Sequence, residues 1–429
     1  MHSLTIIVTY YNSEEYIQSC IESIKQQRTQ DFEVIIVNDG STDQTEALMK
    51  ESLKDYDKKV NYIKLEENQG HAHARNVAMK EVETPYFMFL DADDELASYA
   101  ITFYLDKFNY TDGLIAPVHS FMLKKPQYVD LDKVKVNYFD GKRNINSFLR
   151  KQTACNIIFR TAIVRAHDLK FNEDLNVYTD WSFVIEYSKY VNKFMRITNF
   201  SFYYRGEVYD PFDGKTLSEQ DFDILFEDYV KMFYDAMARV THKETKSFII
   251  NKLEQQIARD FDPTHHDIKK RYAAHKETLV ELARYLNVNL IKHQHLINKI
   301  ETILLMNEDT EKAFQVNQFR KTLRHVKNIV LRNKNKNRSI YELTDKEDNV
   351  KPETIVFESF GGKNYSDSPK YIYEYMQKYY PNYRYVWSFK NPKNHVVPGN
   401  AETVKRNSEA YYKAYSEASH WVSNCLLYT

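Results

Sequence analysis

Asp91-Ala92-Asp93 directly follows Tyr86 to Leu90, an apolar run that reads as a buried strand. Residues two apart in an extended segment point to the same side. Two carboxylates so placed can engage one hard divalent cation, which in turn bridges substrate phosphates. The chain holds five D-x-D triplets, beginning at Asp55, Asp91, Asp130, Asp221 and Asp260, and only the one at Asp91 has an apolar strand before it and a helical pattern after it. The competing meaning is an acidic cap for a helix from about Leu96. Asp39, in Asn38-Asp39-Gly40-Ser41, ends a second apolar run, Val34 to Val37. Its carboxylate suits hydrogen bonds from a base or ribose, or else a simple Asp-Gly turn. Asn68-Gln69-Gly70 with Arg75-Asn76 puts a cation near a third strand end, for a phosphate or base, or for a surface salt bridge.

Composition limits how a nucleotide can be held. Only nine of the 429 residues are glycine, roughly 2% against about 7% on average. No two are separated by a single residue, so G-x-G-x-x-G is absent, and no G-x-x-x-x-G-K-[ST] loop can be written. A diphosphate must be held another way, and a metal on carboxylates is the obvious candidate. Lys plus Arg number 59 and Asp plus Glu 60, so bulk charge gives nucleic acid no support as a partner. Met1-His2-Ser3 and Leu4 to Val8 lack the basic region and long apolar run of a signal peptide. No stretch approaches the ~18 apolar residues of a transmembrane helix. Cys20, Cys155 and Cys425 are few and far apart, as expected of reduced structural thiols in a cytosolic protein.

The elements that must position these residues alternate. Leu4 to Thr9 reads as a strand, with Asn12-Ser13 as a helix cap and Ile17, Ile21 and Ile24 at helical spacing. Val34 to Val37 is a second strand, and Ser41 with Gln44 reads as a capping box for the next helix. Val60 to Leu65, His71 to Glu81 and Tyr86 to Leu90 continue as strand, helix and strand. This order predicts an α/β fold with a mainly parallel sheet covered on both faces, and ligands at the carboxyl ends of its strands. From about Ser218 a 3.6-residue period in Phe222, Leu225, Phe226, Tyr229, Met232 and Phe233 predicts helices, continuing to about Val330. Arg332 to Asn349 reads as a polar linker, after which Thr354 to Phe357, Tyr371 to Tyr379 and Tyr385 to Trp387 read as strand, helix and strand. The expected domains are 1–215, a helical region 216–335 with a basic end, a linker 336–350 and a third domain 351–429.

Together, Val8-Thr9-Tyr10-Tyr11-Asn12, Asn38-Asp39-Gly40-Ser41, Asn68-Gln69-Gly70 with Ala74-Arg75-Asn76, and Phe89-Leu90-Asp91-Ala92-Asp93-Asp94 resemble glycosyltransferase family 2, the inverting nucleotide-sugar enzymes of the GT-A fold. The resemblance covers about Met1 to Arg205. It implies that Thr9 and Tyr11 line the nucleoside pocket and that Asp39 contacts the uracil. It further implies that Arg75, with Asn68 and Gly70 in its motif, helps hold the nucleotide. Asp91, followed by Ala92, would face the ribose and join Asp93 in ligating Mg²⁺ or Mn²⁺. The family's general base lies in a Glu-Asp pair at a helix start, about ninety residues after the metal motif. That marks Asp180 in Thr179-Asp180-Trp181, with Thr179 in place of Glu; Asp174 competes, and an N-cap role for Asp180 is the bland alternative. Tyr203-Tyr204-Arg205 resembles the family's aromatic-Arg segment, which closes over the diphosphate.

A second resemblance begins at Val356-Phe357-Glu358-Ser359-Phe360 with Gly362-Lys363 and Asp367-Ser368-Pro369-Lys370, and continues through Tyr411 to Val422. These segments resemble the start of the CDP-glycerol glycerophosphotransferases, GT-B enzymes that build teichoic acid backbones. The resemblance implies an N-terminal portion of a longer bifunctional enzyme, or a truncated relative. The expected reaction is transfer from a UDP-sugar to a polyanionic polyol-phosphate or polysaccharide acceptor. Arg320 to Arg338 holds eight Lys/Arg and no Asp or Glu. It reads as a solvated helix face, or as a contact with the anionic cytoplasmic membrane surface, which places the protein in the cytoplasm, peripheral to the membrane.

Overall fold

The computed structural model describes residues 3–108, 111–120, 130–150, 153–155, 157–206, 221–286, 296–344 and 350–424. Cys425 lies outside them, as does part of the His119 to Asn146 stretch. Two compact units emerge, Met1–Gln256 and Ile257–Thr429.

The first unit opens with β1 (Leu4–Tyr10), α1 (Ile17–Lys25), β2 (Glu33–Asn38), α2 (Thr45–Ser52), β3 (Val60–Lys64), α3 (His71–Lys80) and β4 (Tyr86–Asp91). There follow β5 (Glu95–Leu96), α4 (Ala100–Lys107), β6 (Gly113–Ile115), β7 (Val118–Ser120), β8 (Val136–Asp140), α5 (Ile145–Phe148), β9 (Ile157–Arg160) and α6 (Thr161–Ala166). The series closes with α7 (Thr179–Ser188), β10 (Lys193–Ile197), β11 (Tyr203–Arg205), α8 (Phe222–Arg239) and the start of α9 (Lys243–Asp260). Eight strands form one sheet in the order β3-β2-β1-β4-β9-β6-β10-β8. The first four are parallel, as helix crossovers require. Antiparallel β9 joins β4 to β6. All seven residues of β1 are buried, the mark of a strand covered on both faces. A small second sheet, β5-β11-β7, lies beside the end of β4 in sequence.

Three local expectations are corrected. Asn12 and Ser13 do not cap α1, which starts at Ile17 after Tyr16. They strap the loop before α2 instead: the Asn12 side chain accepts from Thr42 N–H (2.9 Å) and Ser13 N–H donates to Thr45 Oγ1 (2.7 Å). Ser41 and Gln44 form no capping box, because Ser41 Oγ is taken by the Asn12 N–H at 3.1 Å. The helix expected from about Leu96 begins at Ala100, since Glu95–Leu96 is drawn into pairing with β11.

The second unit holds α10 (Ile268–Ala274), α11 (Lys276–Ala283), α12 (Leu296–Met306), α13 (Thr310–Val330) and α14 (Lys336–Thr344). An α/β segment follows: β12 (Lys351–Glu358), α15 (Asp367–Tyr379), β13 (Arg384–Phe389), β14 (Glu402–Lys405), α16 (Glu409–Glu417) and β15 (Ala418–Ser423). Its four strands are parallel in the order β14-β13-β12-β15. Tyr411, Ala414 and Tyr415 of α16 pack on one face, with Val356 and Val386. Tyr373 of α15 packs on the other, with Phe357 and Trp387. Within the stretch expected to be a linker, α14 is helical, and Tyr341 stacks on Tyr412 of α16 at 5.5 Å.

Candidate active site

Sheet register assembles the site before any side chain is considered. β1 lies between β2 and β4, with Thr9 paired to Val37 on one side and to Asp91 on the other. The loops after β1, β2, β3 and β4 therefore leave the same edge of the sheet. Thr9 is buried there, whereas Tyr11 is 45% exposed.

Asp39 is buried, and both its oxygens are occupied. They accept the backbone N–H groups of Gln69 (2.9 Å) and Gly70 (3.0 Å). Asn68, itself exposed, also accepts from Gly70 N–H at 3.0 Å. Asp39 is thus a strap holding the β3–α3 loop against the end of β2. Gly40 permits the approach: its φ is +69°, and a Cβ there would meet the Glu67 carbonyl carbon at 2.4 Å. Gly70, at φ +94°, opens α3.

Arg75, on α3, is 1% exposed and lies over the rings of Phe89 (4.7 Å) and Phe171 (5.2 Å). One guanidinium nitrogen donates to Asp180, the other to Asp91 Oδ1 at 2.7 Å. Burial opposes its charge, but Asp180, Cys155 and Asp91 keep it firmly protonated. The second oxygen of Asp180 accepts from Thr153 Oγ1 (3.1 Å) and Ala154 N–H (2.8 Å). His71 Nε2 stands 4.0 Å from Asp180. Asp180 is not the N-cap of α7, a position held by Tyr178. Asp174 is exposed, with its N–H bound to Asn172 at 3.0 Å, and no hydrogen bond or ion pair ties it to the Arg75 cluster among the described residues.

Asp91, Asp93 and Asp94 bring carboxylate oxygens within 4.8 Å of one another. Burial works against the charge of Asp91, yet Arg75 and His71 hold its carboxyl down at about 2. Burial, and then the charge of Asp91, push Asp93 up to about 6. Asp94 is pushed up to about 8 by burial and by both neighbours. Three crowded oxygen donors are the ligand chemistry of a hard dication. Ala92 is buried between them. Arg205, exposed at the end of β11, exerts a charge on Asp93, and the next residue, Gly206, donates its N–H to Asp94 at 2.8 Å.

The family model of glycosyl transferase family 2 matches residues 5–167. The first unit carries a glycosyl transferase family 2 domain. A second model, CDP-glycerol:poly(glycerophosphate) glycerophosphotransferase, matches residues 340–428. A teichoic acid poly(glycerol phosphate) polymerase from Staphylococcus epidermidis is 74% identical over 424 residues, covering 99% of this chain and 59% of that protein. The poly(ribitol-phosphate) beta-N-acetylglucosaminyltransferase TarS of Staphylococcus aureus is 28% identical over 224 residues, 48% of this chain and 35% of that protein. This chain thus spans less than two thirds of either relative. The crystal structure of S. aureus TarS 1–349 in complex with UDP-GlcNAc superposes with a TM-score of 0.59 at 18% identity, over 74% of this chain and 90% of that one. That likeness is one of fold.

Several residues of the first unit make contacts that the sequence alone does not assign. Cys155 Sγ donates to Asp91 Oδ2 (3.0 Å) and accepts from Arg75 (3.1 Å). Burial, then Asp91, push its thiol up, so it remains an S–H donor. Tyr203 Oη donates to Asp94 (2.5 Å) and accepts from Asp91 N–H (3.2 Å). Asp228, buried on α8, accepts the N–H groups of Asn176, Val177 and Tyr178 and so fixes the start of α7. Asp228 carries a signal in sequence, being a carboxylate within an apolar helical face. Cys155 carries none.

Proposed function

We propose that the first unit is an inverting transferase that moves a hexosyl or N-acetylhexosaminyl group from a UDP-sugar to a hydroxyl of a teichoic-acid-like or capsular polymer. The observation that carries this reading is the Arg75 fork, which ties Asp91 of the acidic cluster to Asp180 at the head of α7. Thr9, Tyr11 and the loop strapped by Asp39 line the nucleoside side, and Arg205 approaches the diphosphate. Asp93 with Asp91 would hold Mg²⁺ or Mn²⁺, and such an ion would neutralise charge on the departing UDP. Asp180 takes the proton of the acceptor hydroxyl while the acceptor oxygen bonds to the anomeric carbon and the bond from that carbon to UDP breaks. Arg75, Thr153 and Ala154 N–H hold its carboxylate in place.

A screen of UDP-sugars with MnCl₂, scored for UDP release and for transfer, tests the reading. Asp93→Ala removes metal-dependent turnover, and Asp180→Asn stops transfer while UDP still binds. Full activity in the first variant defeats the metal assignment. Loss in Asp174→Asn with survival of Asp180→Asn moves the base to Asp174.

A second reading rests on the glycerophosphotransferase match and on the S. epidermidis relative. In it, the chain belongs to a bifunctional polymerase whose polyol-phosphate transferase half follows the family 2 domain. Incorporation of label from CDP-glycerol into polymer tests it. Membrane-surface contact belongs to both readings: Phe319, Val330 and Leu331 stand exposed among the basic residues of α13 and its end.

A further inference from the structure

Three consecutive residues outside every recognised motif touch both acids of the candidate site. Thr153 Oγ1 and Ala154 N–H bind one oxygen of Asp180, while Cys155 Sγ binds Asp91 Oδ2 and Arg75. The contacts close a ring, because Arg75 reaches Asp91 with the same nitrogen that Cys155 receives. Asp91 Oδ1 belongs to Arg75 and Oδ2 to the thiol, so the tilt of this carboxylate about its own axis is set by the pair. Arg75 alone, through a single nitrogen, fixes a distance and leaves the rotation free. Cys155 is also the only side chain of the three that reaches the metal-side acid. It is buried, as is Ala154, so the segment is not a solvent loop that drifts past the site. Cys20, also buried, reaches only the backbone carbonyl of Asp91, at 3.6 Å, and cannot orient the carboxylate.

We propose that Cys155 is a positioning residue: its thiol fixes the carboxylate of Asp91 relative to Arg75 and, through the 153–155 segment, relative to Asp180. The inference rests on the transferase reading above and adds to it the group that sets the angle between donor-side and acceptor-side acids. Partners that orient catalytic or ligating groups typically contribute about 10–100-fold to activity.

The test compares Cys155→Ala and Cys155→Ser with the wild type, using the UDP-sugar found active in the screen. Cys155→Ala lowers kcat by about 10–100-fold and leaves the donor KM within about threefold. Cys155→Ser, which keeps a donor and an acceptor at the same place, recovers most of the lost kcat. Calorimetric affinity for UDP in the presence of MnCl₂ stays within about threefold for both variants, because Arg75 still holds Asp91. Wild-type kcat in Cys155→Ala overturns the proposal. So does an equal loss in both variants, which makes the side chain's volume, and not its hydrogen bonds, the cause. A fall in UDP affinity as large as the fall in kcat overturns it too, by assigning Cys155 to nucleotide binding. A wild-type protein that turns over no UDP-sugar defeats the transferase reading itself, and the positioning role with it.

Discussion

Arg75 on α3 is ion-paired with Asp180 at the head of α7, across 105 residues of sequence. Its other nitrogen holds Asp91, and the guanidinium also packs on the rings of Phe89 and Phe171. A planar fork is needed for two divergent carboxylates, and lysine offers a point charge in its place. Arg75→Lys should therefore behave as a disruptive change. Lysine keeps the charge but reaches only one of the two carboxylates, and a buried hydrogen-bonding group left unmade costs about 1–3 kcal/mol, which urea unfolding of the chain will register. A stability within about 0.5 kcal/mol of wild type, the range of ordinary surface changes, would show that the cluster holds nothing together.

Gly40 and Gly70 both have positive φ, yet the two substitutions should differ. At Gly40 a Cβ collides with backbone of Glu67 and Asn68, while at Gly70 nothing lies within 4 Å. Gly70→Ala therefore meets only conformational strain, about 1–3 kcal/mol at φ +94° and ψ +154°. Gly40→Ala must also push away the loop that Asp39 straps, and so should lower the melting temperature more and raise the donor KM. The comparison is made by calorimetry and donor titration. Equal effects of the two changes would contradict the role given to the strap.

How much of this was readable in the chain follows from how local each signal is. The β1 to β4 frame was legible because its strands are largely apolar and β-rich and each crossover is a helix-forming stretch of its own. Asp91, Asp93 and Arg75 were legible because they sit within motifs at strand ends. Cys155 was not, since it meets Asp91 only after the chain has travelled 64 residues and returned through β9. Strands as short as β5 and β7 carry no period to read, being set by pairing with β11. α14 was hidden in a polar stretch because its few apolar residues gain meaning only from packing on α13 and α16. Asp39 reads in sequence as a ligand contact or an Asp-Gly turn, and the strap stays hidden because its two backbone donors come from a loop thirty residues away.

The acid limb of stability has an identifiable contributor in the second unit. Asp262 receives both Arg324 Nη1 (3.1 Å) and Nη2 (3.0 Å). Burial works against its charge, but the Arg324 fork and Thr264 bring its carboxyl down to about 2. A depressed folded value means that the unfolded chain takes up the proton first. The contribution is therefore present above about pH 4 and is lost as pH falls toward 2. Asp262→Asn should be less stable than wild type at pH 7 by a margin that is constant above about pH 5 and closes below pH 4. Urea midpoints across pH 2–7 measure it, and a margin that widens in acid would reverse the sign of the argument.

The same arginine divides the basic run into two classes. Of its eight Lys/Arg, Arg320 faces Glu301 at 3.4 Å, Arg324 is held by Asp262, and Arg338 by Glu342 at 2.6 Å. Lys321, Lys327, Arg332, Lys334 and Lys336 form no ion pair among the described residues. Val330 and Leu331 are 70% and 63% exposed in their midst. No helix among the described residues is long and apolar enough to cross a membrane. A surface-bound basic residue contributes about 1 kcal/mol against anionic lipid. Changing Lys321, Lys327 and Arg332 together to Gln should then weaken binding to phosphatidylglycerol vesicles by about a hundredfold. Arg324→Gln should instead lower the melting temperature and change vesicle binding less than Lys327→Gln does, since its charge is already answered by Asp262. Sedimentation with vesicles of rising phosphatidylglycerol content, at low and high NaCl, separates the cases. Binding by the triple variant equal to wild type would leave the run as a solvated helix face.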